Sequence, residues 1–178
     1  GLKGPNRLLR IPLACLTTKF VIKEETFDDI LEVIAWSFRV SSVGLFPANR
    51  HDGSCFLKSD LWRSKRALGP LGSPGILTEI RGDWVFYKSC FRLPGWNVNA
   101  GCCWRCDATP QVIRNCSLDA AWRTSRLSHW DFIARLILQG KTMSPILRAP
   151  CVEIGCFKID WLHTMDIGVA ADVLGNIL

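Results

Sequence analysis

Two pairs of possible metal ligands stand far apart in this chain at the same internal spacing: Cys103-Trp-Arg-Cys106 and Asp160-Trp-Leu-His163. Thiolates three positions apart on a tight turn can reach one tetrahedral Zn²⁺, and Gly101 just before them eases the turn. Such a pair is half a site. His163 is the first candidate to complete it and His129 the second, with Asp160 or Cys116 as substitutes. Cys102 could be a core residue, and a lone histidine is as often a buried, hydrogen-bonded one. A redox role for Cys103 and Cys106 meets a topological objection. Thioredoxin-like pairs follow a strand and open a helix, whereas this pair follows the irregular segment Trp96-Asn-Val-Asn-Ala-Gly101.

Two aspartates could do oxygen-ligand chemistry. Asp83 follows an apolar run and precedes a helical pattern, and strand ends in α/β sheets are where ligands and metals collect. A carboxylate there could hold Mg²⁺, which keeps several of its waters. The competing reading is an N-cap, since an aspartate just before a helix accepts hydrogen bonds from free backbone N–H groups. Asp52, in His51-Asp-Gly53, has the same ambiguity: Asp-Gly favours a tight turn, while two-metal phosphoryl transfer needs carboxylates from separate elements to converge.

The elements that must position these groups are read from periodicity and turn signals. Thr26-Phe-Asp-Asp29 predicts a helix start, with Ile30, Leu31, Val33, Ile34 and Phe38 on its apolar face. Val40 to Phe46 reads as a short strand, and Pro47 to Gly75 as loop, on its Asp52-Gly53, Gly69-Pro70 and Gly72-Ser-Pro74 signals. Gly75 to Ile80 predicts a strand, Trp84 to Phe91 a helix, and Leu93-Pro-Gly-Trp96 a break. Ser117 to Leu127 and Ser128 to Gln139 predict two helices, the second with a capping box at Ser128-His-Trp-Asp131 and a stop at Gly140. Val152 to Ile159 reads as a strand and Trp161 to Leu178 as a helix. The tryptophans near the possible metal site, Trp84, Trp96, Trp104, Trp130 and Trp161, are expected to pack around it rather than to stack on bases.

Bulk properties bound these readings. The chain has 178 residues, 48% of them hydrophobic and eight of them Trp, which excludes a disordered tail and suits one domain with its own core. No run approaches the roughly 18 apolar residues of a membrane helix. The net charge is +6, with basic clusters at Lys58, Arg63, Lys65, Arg66 and at Arg123, Arg126. That balance permits phosphate contacts, and equally a solvated basic loop. Nine cysteines, odd in number and irregularly spaced, suggest reduced thiols and one metal site rather than a disulfide framework. A start at Gly1 with no signal peptide, and an end inside an apolar helical pattern, suggest a piece of a larger intracellular protein.

Taken in order, the pieces resemble the catalytic region of CACTA-type (En/Spm-like) DNA transposases, and a related group of repeat-derived protist proteins. The matching residues are Asp52-Gly53 with Phe56, Gly82-Asp83, Gly95-Trp96, Cys103-Trp-Arg-Cys106, Arg126 with His129, Asp160-Trp-Leu-His163, Gly168-Val169 and Leu174-Gly-Asn-Ile-Leu178. The resemblance covers about residues 45–178 and leaves the first 45 of uncertain type. It implies an α/β (α+β) fold, a partial RNase H-like core with a zinc-knuckle and helical insertion. It further implies DNA as partner, a nuclear location, a structural zinc on Cys103 and Cys106, and catalytic Mg²⁺. Asp83 matches the family's second acidic residue and Asp52 its first, with a third, a glutamate, expected beyond Leu178. The alternative from another class is a non-catalytic, zinc-stabilised module for nucleic-acid binding or protein interaction.

Overall fold

The computed structural model describes residues 17–95, 98–99, 101–159 and 175. Asp160 and His163, Trp96, and the helix expected from Trp161 lie outside them. The described chain is mixed: five helices, short 3-10 turns and a two-stranded parallel sheet. This is an α+β arrangement.

The first helix, α1, spans Lys23–Val43. It starts earlier than Thr26, with Ile22 at the cap position, and the Thr26 hydroxyl instead accepts a hydrogen bond from the Ile22 N–H at 2.9 Å. Glu24 and Glu25 in its first turn suit the positive end of the helix dipole. The helix also runs through Val40–Val43, where the sequence predicts a strand. β-branched residues disfavour helix by only a few tenths of a kcal/mol, so the helix continues until Gly44. There φ is 75°, and the Gly44 N–H donates back to the Val40 carbonyl. The buried side of α1 carries Phe27, Leu31, Ile34, Ala35 and Phe38, while Val33 stays exposed.

Residues 47–75 are loop apart from a 3-10 turn at Lys58–Asp60 and one helical turn, α2, at Leu61–Ser64. Strand β1 is Ile80–Gly82 and pairs in parallel with β2, Phe157–Ile159, in the register Ile80↔Phe157, Gly82↔Ile159. Both strands are shorter than the sequence suggests. Alternation extends over 75–80 and 152–159, but ladder pairing begins only at Ile80, and Ile154–Cys156 forms a 3-10 turn.

Helix α3, Trp84–Phe91, follows β1 directly, as its spacing predicts. A Cβ on Gly82 would lie 2.7 Å from Phe86 Cδ1, so glycine is what lets the strand turn so closely into the helix. After Arg92 and Leu93 the chain breaks, and the Trp84 indole N–H donates to the Pro94 carbonyl at 2.9 Å. The helix expected over 117–127 is reduced to one turn, α4, at Ala121–Thr124. Helix α5, His129–Leu138, has the expected capping box between Ser128 and Asp131, and Gly140 follows it with φ 64°.

The core joins α1, α3, α5, the 3-10 turn at Pro145–Arg148 and both strands. Its centre is aromatic. Trp84 and Trp104 meet edge-on at 4.8 Å, and the fully buried Tyr87 lies between Trp104 and Phe157 at 5.4 and 5.7 Å. The Tyr87 hydroxyl is held by two backbone carbonyls, Ile80 of β1 at 2.6 Å and Lys158 of β2, so one side chain on α3 fastens both strands.

Candidate metal centre and acidic site

The segment 101–108 folds as a knuckle against α5. Gly101 has φ 130°, a conformation that side chains resist, and a Cβ there would meet the Arg135 guanidinium at 2.9 Å. Arg135 also forms an ion pair with Asp107, so one arginine of α5 lies against the start of the knuckle and is bonded to its end. A backbone bridge between Cys106 and Arg126 and a hydrogen bond from the Leu127 N–H to the Arg105 carbonyl seat the knuckle beside the chain that leads into α5.

Within it, Cys103 and Cys106 face one another closely enough to interact through their sulfurs. The Arg105 N–H donates to Cys103 Sγ at 3.3 Å, and the Ala108 backbone donates to the Cys106 sulfur. The Ala108 amide on its sulfur favours the Cys106 thiolate. Burial works the other way and pushes the Cys106 thiol up to about 11. Cys102 points into a small apolar cluster with Cys106 and Ala108, and its thiol reaches the Ala108 carbonyl at 3.4 Å, the core role open to it in the sequence. Burial raises its pKa too.

Among the described residues no three His, Cys, Asp or Glu side chains come together as a metal group. His129 therefore does not complete a site with Cys103 and Cys106. It lies in the first turn of α5, its Nδ1 buried without a hydrogen-bond partner and its ring edge-on to Trp130 at 5.4 Å. Cys116 is exposed and likewise forms no such group. The donor set present, two close cysteines with amide N–H groups on sulfur, fits one half of a tetrahedral zinc site. The remaining candidates, His163 and Asp160, are outside the described residues.

Asp83 is the N-cap of α3. It adopts extended backbone geometry, and its side chain accepts a hydrogen bond from the Phe86 N–H. The carboxylate also raises the pKa of Cys90, secondarily to that thiol's burial. Asp52 is exposed and forms the tight turn its Asp-Gly suggests: Oδ1 accepts from the Ser54 N–H at 3.0 Å and from the Ser54 hydroxyl at 2.6 Å, which lowers its pKa. Gly53 completes the turn at φ 79°. Both competing structural readings of these aspartates therefore hold, and Asp52's hydrogen bonds stay within its own turn.

The tryptophans divide. Trp84 and Trp104 pack beside the knuckle as expected. Trp130 does not: it is 76% exposed. Its position on α5 accounts for this, because Phe132, Ile133 and Leu136 take the inward face.

No family model matches the chain, and neither does any curated protein or solved structure.

Proposed function

We propose that this chain belongs to an RNase H-like, metal-dependent DNA-processing domain of the CACTA transposase kind, with Cys103 and Cys106 contributing to a structural zinc. The observation that carries the reading is the parallel pair β1–β2. Gly82 lies opposite Ile159 in the register, and in the sequence an aspartate follows each strand, Asp83 after one and Asp160 after the other. Carboxylates following adjacent parallel strands suit a site for hard divalent cations, which take oxygen ligands. Asp83 and Asp160 would be the residues to hold such ions, which would supply activation of a water or hydroxyl and charge neutralisation at the phosphodiester. A nuclear location follows from the same reading.

The cap made by Asp83 favours a second reading, a non-catalytic zinc-stabilised module in which Asp83 serves only α3. The substitution Asp83→Asn separates the two, since asparagine caps a helix about as well as aspartate but lacks the charge that holds Mg²⁺. In protein carrying this chain with whatever sequence naturally flanks it, Mg²⁺-dependent nicking of supercoiled plasmid should fall by at least about 100-fold in Asp83→Asn, with the melting temperature little changed. Nicking that survives the substitution sinks the catalytic assignment.

A further inference from the structure

A cleft of about 850 Å³ opens between the knuckle, the first turn of α5 and the turn that precedes β2. Its walls include Arg105, Arg126, His129, Trp130, Arg148 and Glu153. Three of these six are permanent cations and one is a carboxylate. Arg148 is engaged by Glu32 at 2.9 Å. Arg105 and Arg126 have no carboxylate partner among the described residues. On the same cleft stands the exposed Trp130 indole. Beside it, His129 Nδ1 is buried with no hydrogen-bond partner.

We infer that this cleft binds a single strand of DNA, the two free guanidiniums taking phosphates and the Trp130 indole stacking on a base. Arginine suits phosphate because its planar fork donates two parallel hydrogen bonds. An exposed aromatic face beside a cationic groove is the combination that holds unpaired bases without reading their sequence. A duplex does not offer that fit, because its bases are stacked inward and present no free face to the indole. The inference rests on the DNA-processing reading and goes further in assigning the strand to a face built by the knuckle and α5, apart from Asp83.

The test is fluorescence anisotropy of the full chain with a labelled oligo-dT strand and with a duplex of equal length, each across a salt series. Trp130→Ala, at an exposed position that should tolerate it, is expected to weaken strand binding by roughly 5- to 150-fold, the range for loss of one base–aromatic stack, with duplex binding little altered. Arg105→Gln with Arg126→Gln should flatten the salt dependence by about 0.7 in log–log slope for each phosphate no longer neutralised. Strand binding unchanged by Trp130→Ala, equal losses for strand and duplex, or an unaltered slope in the double arginine variant would each overturn the proposal. Circular dichroism of each variant identifies any that fails to fold, and Trp130→Phe, which keeps an aromatic face, then serves as a second probe, expected to retain more strand binding than Trp130→Ala and overturning the proposal if it loses as much. Failure here leaves the Asp83-dependent nicking test standing. Absence of nicking with strand binding intact removes only the catalytic reading.

Discussion

At the scale of single residues, the Cys106 sulfur is under opposed influences. Burial favours its thiol strongly enough to hold the pKa at about 11 against an ordinary 9.0, although the Ala108 amide favours the thiolate. A metal must therefore displace a proton that the fold retains. The pH dependence follows from that shift. Between about pH 9 and 11 the unfolded chain has released the Cys106 proton while the folded chain keeps it, so stability falls as pH rises through that window and is fully present below it. Thermal melts with chelator should show this decline, and melts with one equivalent of zinc should not. Metal analysis should find about one zinc per chain, lost in Cys103→Ser. Less than half an equivalent, or zinc retained in that variant, removes the structural-zinc claim. The Cys103–Cys106 spacing makes this pair legible in the sequence, because both ligands sit on one turn. The rest of the site is not legible on the same terms: the sequence offers His163 first and His129 second, and only the fold shows that His129 forms no metal group with the sulfurs. Trp130 escapes a sequence reading for a related reason. Composition says that tryptophan is usually buried, but which face of α5 turns inward is decided by Phe132, Ile133 and Leu136.

At the scale of elements, what is legible is what is local. Helix α3 runs from Trp84 to Phe91 and α5 carries a reciprocal capping box, both as the sequence predicts. The Ser128 hydroxyl is central to that box: it accepts from the Asp131 N–H at 3.1 Å while the Asp131 carboxylate takes the Ser128 N–H. Ser128→Ala should cost about 1 kcal/mol, which for a chain of this size is a fall of roughly 2–4 °C in Tm. A change of less than half a degree by calorimetry would show the box to be redundant. Sequence and structure part where an element outruns or falls short of its local preference. Val40 to Phe46 has the composition of a strand, yet α1, whose core residues run from Phe27 to Phe38, continues past them until Gly44 stops it. Residues 117–127 have helical spacing, but Ala120 and Trp122 are the residues that pack inward while Leu118 is 91% exposed, and only one turn forms. Alternation near β1 and β2 marks the strands without showing where pairing starts.

At the scale of the whole molecule, a few long-range ties hold these elements together. Arg92 caps the end of α3 with φ 55° and turns its guanidinium, only 12% exposed, onto Glu24 and Asp28 of α1. Arg92→Ala removes a nearly buried cation from two carboxylates and should destabilise the chain by about 1–3 kcal/mol in urea denaturation. The exposed pair Arg81–Glu79 gives the comparison, and Arg81→Ala should cost no more than about 1 kcal/mol. Equal effects at the two sites would mean that the α1–α3 tie contributes nothing beyond a surface pair. None of these ties is legible in the sequence, because nothing local to Arg92 points to Glu24, and nothing near Ile80 points to Phe157. The parallel pairing that supports the functional reading belongs to the same class, since parallel strands need a long crossover connection. The Tyr87 hydroxyl gives that crossover a consequence for synthesis. Its two carbonyl acceptors arrive at very different times: Ile80 precedes it in the chain, while Lys158 lies 71 residues beyond. As the polypeptide leaves the ribosome, α3 can form early and give its tyrosine proton to Ile80, but the Phe157 ring that packs against that tyrosine is missing until β2 has been made. Closing so long a loop is slow relative to forming local helices. The emerging nascent chain therefore exposes its aromatic centre while the 71 residues from Tyr87 to Lys158 are being made, and this is the interval in which a chaperone would find it.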